Sequence, residues 1–284
     1  MSPKPLKTLT RILKYARWNC RRLTARHRTL PNFIIIGAQK AGTSSLRYYL
    51  KQLPNVKTGF RKEVHFFDRN YTRGESWYRA HFPLATGKSS RMAIGEASPY
   101  YLIYPHAPER MHALVPSARL IVLLRNPRER AISHYYHSVK KNRESLPLYE
   151  ALLAEEERIG DAWNKILEDE HFLSFDHRYF SYKQRGVYAD QLERYFAFFD
   201  KKNVLVIDSE RLLSDPENVL RDICVFLQID PVFKNINFSP RNVGISKDKT
   251  PEEVTQYLND YFRPHNKRLY ELIGRNFSWD EPVS

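Results

Sequence analysis

Cysteine is almost missing from this chain, with Cys20 and Cys224 alone among 284 residues. Two residues so far apart give neither a disulfide framework nor a metal cluster, and they fit a reducing cytosol. Cys224 lies in Ile223-Cys224-Val225-Phe226-Leu227, where a small buried hydrophobe is the expected role. No apolar run approaches the ~18 residues needed to span a bilayer, and no apolar core of a secretory signal is present. A soluble, cytoplasmic protein is therefore expected. Internal repeats, low-complexity tracts and convincing linkers are also lacking, which excludes solenoids and tethered modules. Hydrophobic residues at 42% and aromatics at 13% exclude general disorder.

Acidic residues are absent from positions 1–30, which hold nine Lys or Arg. The whole chain carries 46 basic against 32 acidic residues, a net charge of +14, and the remainder beyond residue 30 has 37 against 32. A moderately basic body suits an anionic cofactor or substrate. The strongly basic tail suits a membrane or nucleic acid, or is a solvated, frayed leader; a transit peptide has the same composition. Leu6, Leu9, Leu13, Ala16, Cys20 and Leu23 recur at helical spacing, as in a basic amphipathic helix lying on an anionic membrane. The simplest organisation is a tail over 1–30 and one domain over 31–284.

Phe33–Ile36, Leu120–Leu124 and Val204–Ile207 read as buried parallel strands, and Met92–Gly95 supplies a fourth. Polar residues and then a helical pattern follow each, which predicts an α/β fold with a parallel sheet flanked by crossover helices. Ligands of such sheets gather beyond the carboxyl ends of the strands, where Gly37, Arg125 and Asp208 fall. One charged surface helix is expected from Tyr149 to about Asp169. Tyr188, Leu192, Tyr195 and Phe199 share a core-facing helical stripe. A last helix runs from about Pro251 to Gly274, with a break or kink at Pro264.

The most informative stretch is Phe33-Ile34-Ile35-Ile36-Gly37-Ala38-Gln39-Lys40-Ala41-Gly42-Thr43-Ser44-Ser45-Leu46. A buried strand passes through a loop with two glycines and one lysine into a helix predicted over Leu46–Leu53. Backbone N–H groups and the positive helix end converge there, as in a phosphate cradle. A Walker A loop places its lysine directly after the second glycine. Here Thr43 occupies that position and the lysine has moved inward to Lys40, so the usual nucleoside triphosphatase geometry is lost. A second strand-to-helix junction is Leu124-Arg125-Asn126-Pro127-Arg128-Glu129-Arg130. Asn126 suits the N-cap, Pro127 the first helical position, and Glu129 a capping box. Arg125 and Ser133 form a candidate second phosphate site; pairing of Arg125 with a carboxylate, and of Ser133 with a backbone carbonyl, is the alternative. In Lys62-Glu63-Val64-His65-Phe66-Phe67-Asp68, an extended backbone puts Glu63 and His65 on one face, as a general base with its orienting partner.

Taken together, these motifs resemble the PAPS-dependent sulfotransferase family. Gly37–Ser44 resembles its 5′-phosphosulfate loop, and Arg125–Arg130 with Ser133 and Tyr135 its 3′-phosphate motif. Glu63–Asp68 is similar to the catalytic segment of the heparan sulfate 3-O- and N-sulfotransferase branch, as is the ending from Tyr261 to Trp279. The resemblance implies a P-loop-like sulfotransferase fold and 3′-phosphoadenylyl sulfate (PAPS) as donor, with no metal. It implies that Lys40 stabilises the leaving group and that Ala41, Gly42, Thr43 and Ser44 hold the 5′-phosphate. Arg125 and Ser133 would hold the 3′-phosphate. Glu63 would remove the acceptor proton, supported by His65. The implied acceptor is a carbohydrate or glycolipid hydroxyl or amine, with no nucleic acid as partner; Tyr100, Tyr101 and Arg61 are candidates to line its groove, with ordinary packing or surface roles as the alternative.

Two departures stand out. The lysine of the Glu-Lys-Thr-Pro segment in the animal 3-O enzymes is replaced in Glu96-Ala97-Ser98-Pro99, and their disulfide-bridged loop shrinks to Asn242–Lys249 without cysteine. Lys247 is the expected cofactor-closing lysine, with Lys249 as alternative; the form is that of a bacterial member. The rival readings are a nucleotide kinase or NTPase on the same sheet, and a non-catalytic polyanion- or membrane-binding module driven by the tail.

Overall fold

The computed structural model describes residues 4–87, 92–241 and 250–280, and of residues 4–12 the backbone alone. Chain order runs α1 (Lys4–Leu23), β1 (Phe33–Gly37), α2 (Thr43–Leu50), β2 (Val56–Thr58), α3 (Phe66–Arg69), α4 (Gly74–Arg79), β3 (Ala93–Ala97), α5 (Ala107–Leu114) and β4 (Arg119–Leu124). It continues with α6 (Pro127–Lys140), α7 (Leu148–Leu153), α8 (Glu155–Ile159), α9 (Ala162–Glu168), α10 (Phe175–Phe180), α11 (Tyr188–Phe196), β5 (Val204–Asp208), α12 (Ser209–Ser214), α13 (Pro216–Leu227) and α14 (Glu252–Ile273). The strands form one five-stranded sheet in the order β2-β3-β1-β4-β5, every pair parallel.

The expected α/β sheet with crossover helices is thus present, and the four predicted strands lie in it. β2 went unread because three residues, one of them Lys57, make no apolar run. The sheet centre is dry: Ile34, Ile36, Leu120 and Val122 are fully buried, as near-continuous apolar strands between two helical layers must be. From β1 the chain crosses to the far edge as β2, comes back inward as β3 beside β1, then passes to the other flank as β4 and β5. The reversal lies between β1 and β4, so a crevice forms beyond their carboxyl ends, where loops leave in opposite directions.

Local differences from the sequence reading have plain causes. α2 begins at Thr43 rather than Leu46, because Gly42, with φ 93°, makes the turn into it. The expected long helix from Tyr149 is three short ones, interrupted at Gly160 (φ 46°). Glu155, placed by the sequence on a solvated face, is buried and accepts the amides of Lys183 and Gln184 at 2.5 and 2.8 Å. Pro264 sits inside α14, which continues to Ile273 without a break. Tyr188, Leu192, Tyr195 and Phe199 are buried as their spacing predicts, and so is Cys224.

Candidate active site

The phosphate-cradle loop starts where β1 ends. Gly37 is required there, since a Cβ would stand 2.6 Å from Leu102 Cβ. Ala38 donates its N–H to the Leu123 carbonyl on β4 at 2.7 Å, tying the loop to the neighbouring strand. Lys40 itself is left-handed, with φ 73°. Ala41 and Thr43 are buried, and Gly42, Thr43 and Ser44 form the entry to α2, whose first amides and dipole favour an anion.

β4 delivers the second junction beside the first. Asn126 caps α6, its side chain accepting from the Arg128 amide at 3.0 Å, with Pro127 in the first turn as predicted. Glu129 pairs instead with Arg125 at 3.6 Å and Arg128 at 3.3 Å, so the expected capping box is replaced by surface ion pairs. Arg125 Nη1 reaches the Lys40 carbonyl at 3.4 Å. The adjacent strands β1 and β4 therefore bring both candidate anion sites into one crevice. Ser133 is half-buried on α6, three residues beyond Arg130 and hence on the same side of the helix.

Cations crowd this crevice. Burial, then the charges of Arg125, Arg130, Lys140 and Lys62, hold the Lys40 amine below its ordinary range. Arg130 is completely buried; its Nη2 donates to the Tyr182 carbonyl, while Nε and Nη1 have no partner among the described residues. Arg185, also buried, donates to Gln39 from the phosphate loop and to the Arg178 carbonyl. Desolvated guanidinium groups are costly unless paired; buried Glu155 supplies part of the counter-charge to Arg130 and Arg185, and an anion in the crevice would supply more. That donor set fits a nucleotide carrying phosphates on both its 5′ and 3′ sides. Among the described residues no group of three or more His, Cys, Asp and Glu side chains could hold a metal ion.

The Lys62–Asp68 segment is not extended. Glu63 and His65 have φ of 57° and 54°, and α3 begins at Phe66. The two side chains nevertheless meet, because left-handed residues on either side of Val64 turn the chain back on itself. Glu63 Oε2 lies 3.3 Å from His65 Nε2, and His65 Nδ1 lies 2.7 Å from Asp68 Oδ2. Burial opposes charge on the His65 ring, but hydrogen bonds to Asp68 and Glu63 outweigh it and raise its affinity for a proton. The bond to His65 chiefly, with Lys62 adding its charge at 3.6 Å, holds the Glu63 carboxyl below the usual range.

Beneath this segment lies a polar floor. Glu96, at the end of β3, accepts from the hydroxyls of Tyr78 and Tyr101 at 2.9 Å, from Ser98 at 2.7 Å and from the Val64 amide at 3.3 Å. Ser98 accepts the His65 amide at 3.1 Å, and Tyr101 the Phe66 amide at 2.7 Å. These bonds hold the left-handed turn, which would otherwise cost about 1–2 kcal/mol per residue. Tyr101 is wholly buried in the floor, so the expectation that it lines an acceptor groove is corrected; Tyr100 is also buried and bonds His177 at 2.8 Å. Arg61 is exposed, its guanidinium 5.1 Å above Trp18. Lys247 and Lys249 lie outside the described residues.

Comparison with known proteins gives the family. A profile of the Sulfotransferase domain matches residues 30–259. The chain belongs to the sulfotransferase family. It is 31% identical to heparan sulfate glucosamine 3-O-sulfotransferase 6 of Mus musculus over 89% of this chain and 75% of that protein. It is 30% identical to the membrane-associated sulfotransferase kil1 of Dictyostelium discoideum, over 88% of this chain and 66% of that protein. Among solved structures, a sulfotransferase from Alicyclobacillus acidocaldarius shares 34% identity with a TM-score of 0.72, covering 89% of this chain and all of the other. The fold is also that of a mouse sulfotransferase complexed with PAP, at 14% identity and a TM-score of 0.50.

Membership makes the chain an enzyme of sulfuryl transfer and separates it from the kinase and NTPase rivals. Several residues of this sulfotransferase site were missed by motif reading. Asp68, Arg130 and Arg185 lie far from Lys40 in sequence or were read only as motif filler. Asp68 had one usable signal, its i,i+3 spacing from His65, which brings side chains together once the segment turns helical.

Proposed function

We propose that this sulfotransferase uses PAPS as donor and sulfates a hydroxyl, or an amine, of a carbohydrate or glycolipid acceptor. The observation that carries the reading is the 3.4 Å contact between Arg125 and the Lys40 carbonyl, which joins two anion sites in one crevice. Lys40, Ala41, Gly42, Thr43 and Ser44 would hold the 5′-phosphate, and Arg125 with Ser133 the 3′-phosphate, with Lys247 closing over the nucleotide. When bound, the donor supplies a sulfuryl group already activated on a phosphate. Lys40 Nζ then offers its charge where negative charge grows on the departing phosphate oxygen, a preorganised effect that needs no metal. Glu63 is ionised at neutral pH and accepts the acceptor proton. His65, anchored by Asp68, holds Glu63 Oε2, so the task falls to Oε1, whose exposed pair with Lys62 at 3.6 Å is weak competition.

Among the described residues no helix is long and apolar enough to cross a membrane. Residues 1–30 are proposed as a peripheral membrane contact appended to a single domain over 31–284 of a cytoplasmic enzyme. The name of the amoebal relative and the exposed Leu13 on α1 support this. The deciding experiment transfers labelled sulfate from PAPS into extracted polysaccharides and glycolipids, with Glu63→Gln as control. Turnover should fall at least about a thousandfold in the variant, within the range expected for loss of a general base and its charge, while adenosine 3′,5′-bisphosphate still binds. Unchanged turnover would remove Glu63 from the base role.

A further inference from the structure

The C-terminal half of α1 is docked on the body. Trp18 stacks on Phe60 at 6.1 Å, and Arg21 donates to the carbonyls of Ala80 and Phe82, both at 2.6 Å. Between this half of α1 and the Tyr71–Arg79 stretch lies a groove of about 620 Å³, lined among others by Trp18, Asn19, Arg22, Arg73, Ser76 and Trp77. Its volume lies in the ordinary range for ligand clefts. None of its lining residues belongs to the phosphate loop or α6, so it is separate from the crevice that holds Lys40 and Arg125.

Its chemistry is specific. The two indoles meet at 75° with centroids 6.0 Å apart, forming a corner. Arg73 stands 5.3 Å above Trp77, and Arg22 and Arg73 are exposed. Among the described residues no lining side chain is a carboxylate, and neighbouring Glu75 is bound to Arg79. Indole faces take the apolar faces of flat rings, Asn19 and Ser76 offer hydrogen bonds, and guanidinium forks take carboxylates or sulfates. An acyl chain or an apolar peptide face would leave those four polar side chains covered and unpaired, which is costly. The groove is also tied to the reacting end of the molecule. Trp18 packs on Phe60 and Trp77 on Phe66 at 6.2 Å, the two aromatic residues that bracket Arg61–His65.

We infer that this groove is a distal subsite for an anionic glycan, holding part of the acceptor chain away from the residue being sulfated. The inference rests on the carbohydrate acceptor proposed above and adds the site and charge class to it. It is tested on the full chain, without donor, by tryptophan fluorescence and calorimetry with a heparin-derived hexasaccharide. The double variant R22Q/R73Q should weaken binding about tenfold, the loss of one or two charge-assisted contacts. The control K57Q/K234Q removes the same charge from exposed lysines outside the groove and should weaken binding less than about twofold. W18F, a conservative change, should reduce the fluorescence response to the share that Trp77 carries, and an undiminished response would place the ligand elsewhere.

Equal weakening by both double variants would reduce the groove to general charge and overturn the inference. So would loss of binding to phosphatidylserine-containing vesicles in R22Q/R73Q while hexasaccharide binding stands, which would make it a lipid contact. Turnover is scored separately. A hexasaccharide that is held in the groove and never sulfated refutes the acceptor reading and leaves the subsite. One that is sulfated with a KM indifferent to R22Q/R73Q refutes the subsite and leaves the acceptor.

Discussion

Asp68→Asn isolates what the Asp68–His65–Glu63 chain contributes. Asp68 is buried, and its Oδ2 lies 2.7 Å from His65 Nδ1 while Oδ1 has no partner among the described residues. Asparagine keeps the shape and removes the charge. A hydrogen bond to a charged group contributes about 1.5–3 kcal/mol. If the transition state needs His65 held against Glu63, kcat should drop about 10- to 150-fold, the rate equivalent of that energy. Lys40 and Arg125 are untouched, so adenosine 3′,5′-bisphosphate should bind as before by calorimetry. Without Asp68, burial dominates the imidazole, and an NMR titration should find its pKa moved downward from the raised wild-type value. The stability consequence has a definite sign. A folded-state pKa raised above the ordinary value of 6.5 contributes stability that is fully present below 6.5 and lost as pH rises through the folded value. The stability gap between wild type and variant should therefore be widest on the acid side of 6.5 and narrow above it, by denaturation at several pH values. A kcat within about twofold of wild type, with the titration moved as stated, would show that the chain orders the loop without serving the reaction.

Two further substitutions separate binding from positioning. Arg125→Ala should weaken adenosine 3′,5′-bisphosphate by about 10- to 150-fold, the worth of a charge-assisted phosphate contact, and spare adenosine 5′-phosphate; equal losses by calorimetry would detach Arg125 from the 3′ site. Its exposed pair with Glu129 is weak competition, since such pairs contribute about 0–1 kcal/mol. Glu96→Gln leaves two of the four donors at that fully buried carboxylate without an acceptor, so the protein should lose about 2–4 kcal/mol of stability. It should lower kcat more than donor affinity, and a stable variant with wild-type kcat would show that the floor does not set the geometry of Glu63.

The parts of the site legible in the sequence are those fixed by strand ends. Phe33–Ile36 and Leu120–Leu124 announce themselves because strands covered on both faces must be apolar throughout, and a residue just past such a strand has only one place to be. Lys40 and Arg125 meet for that reason. The Asn126 cap was readable too, since capping is local chemistry. The base segment was not. An extended reading of Lys62–Asp68 assumes alternation, whereas Glu63 and His65 are held at positive φ by side chains from β3, more than thirty residues away. No local preference encodes a conformation imposed by a distant carboxylate and hydroxyl. The same holds for α1, whose docking depends on carbonyls about sixty residues distant. The division is physical: the sheet places Lys40 beside Arg125, and non-local hydrogen bonds set the turn that places Glu63 against His65. Variation in this molecule's chemistry should therefore concentrate in the second set, since Glu96, Ser98 and Tyr101 can re-aim Glu63 without disturbing the crevice between β1 and β4.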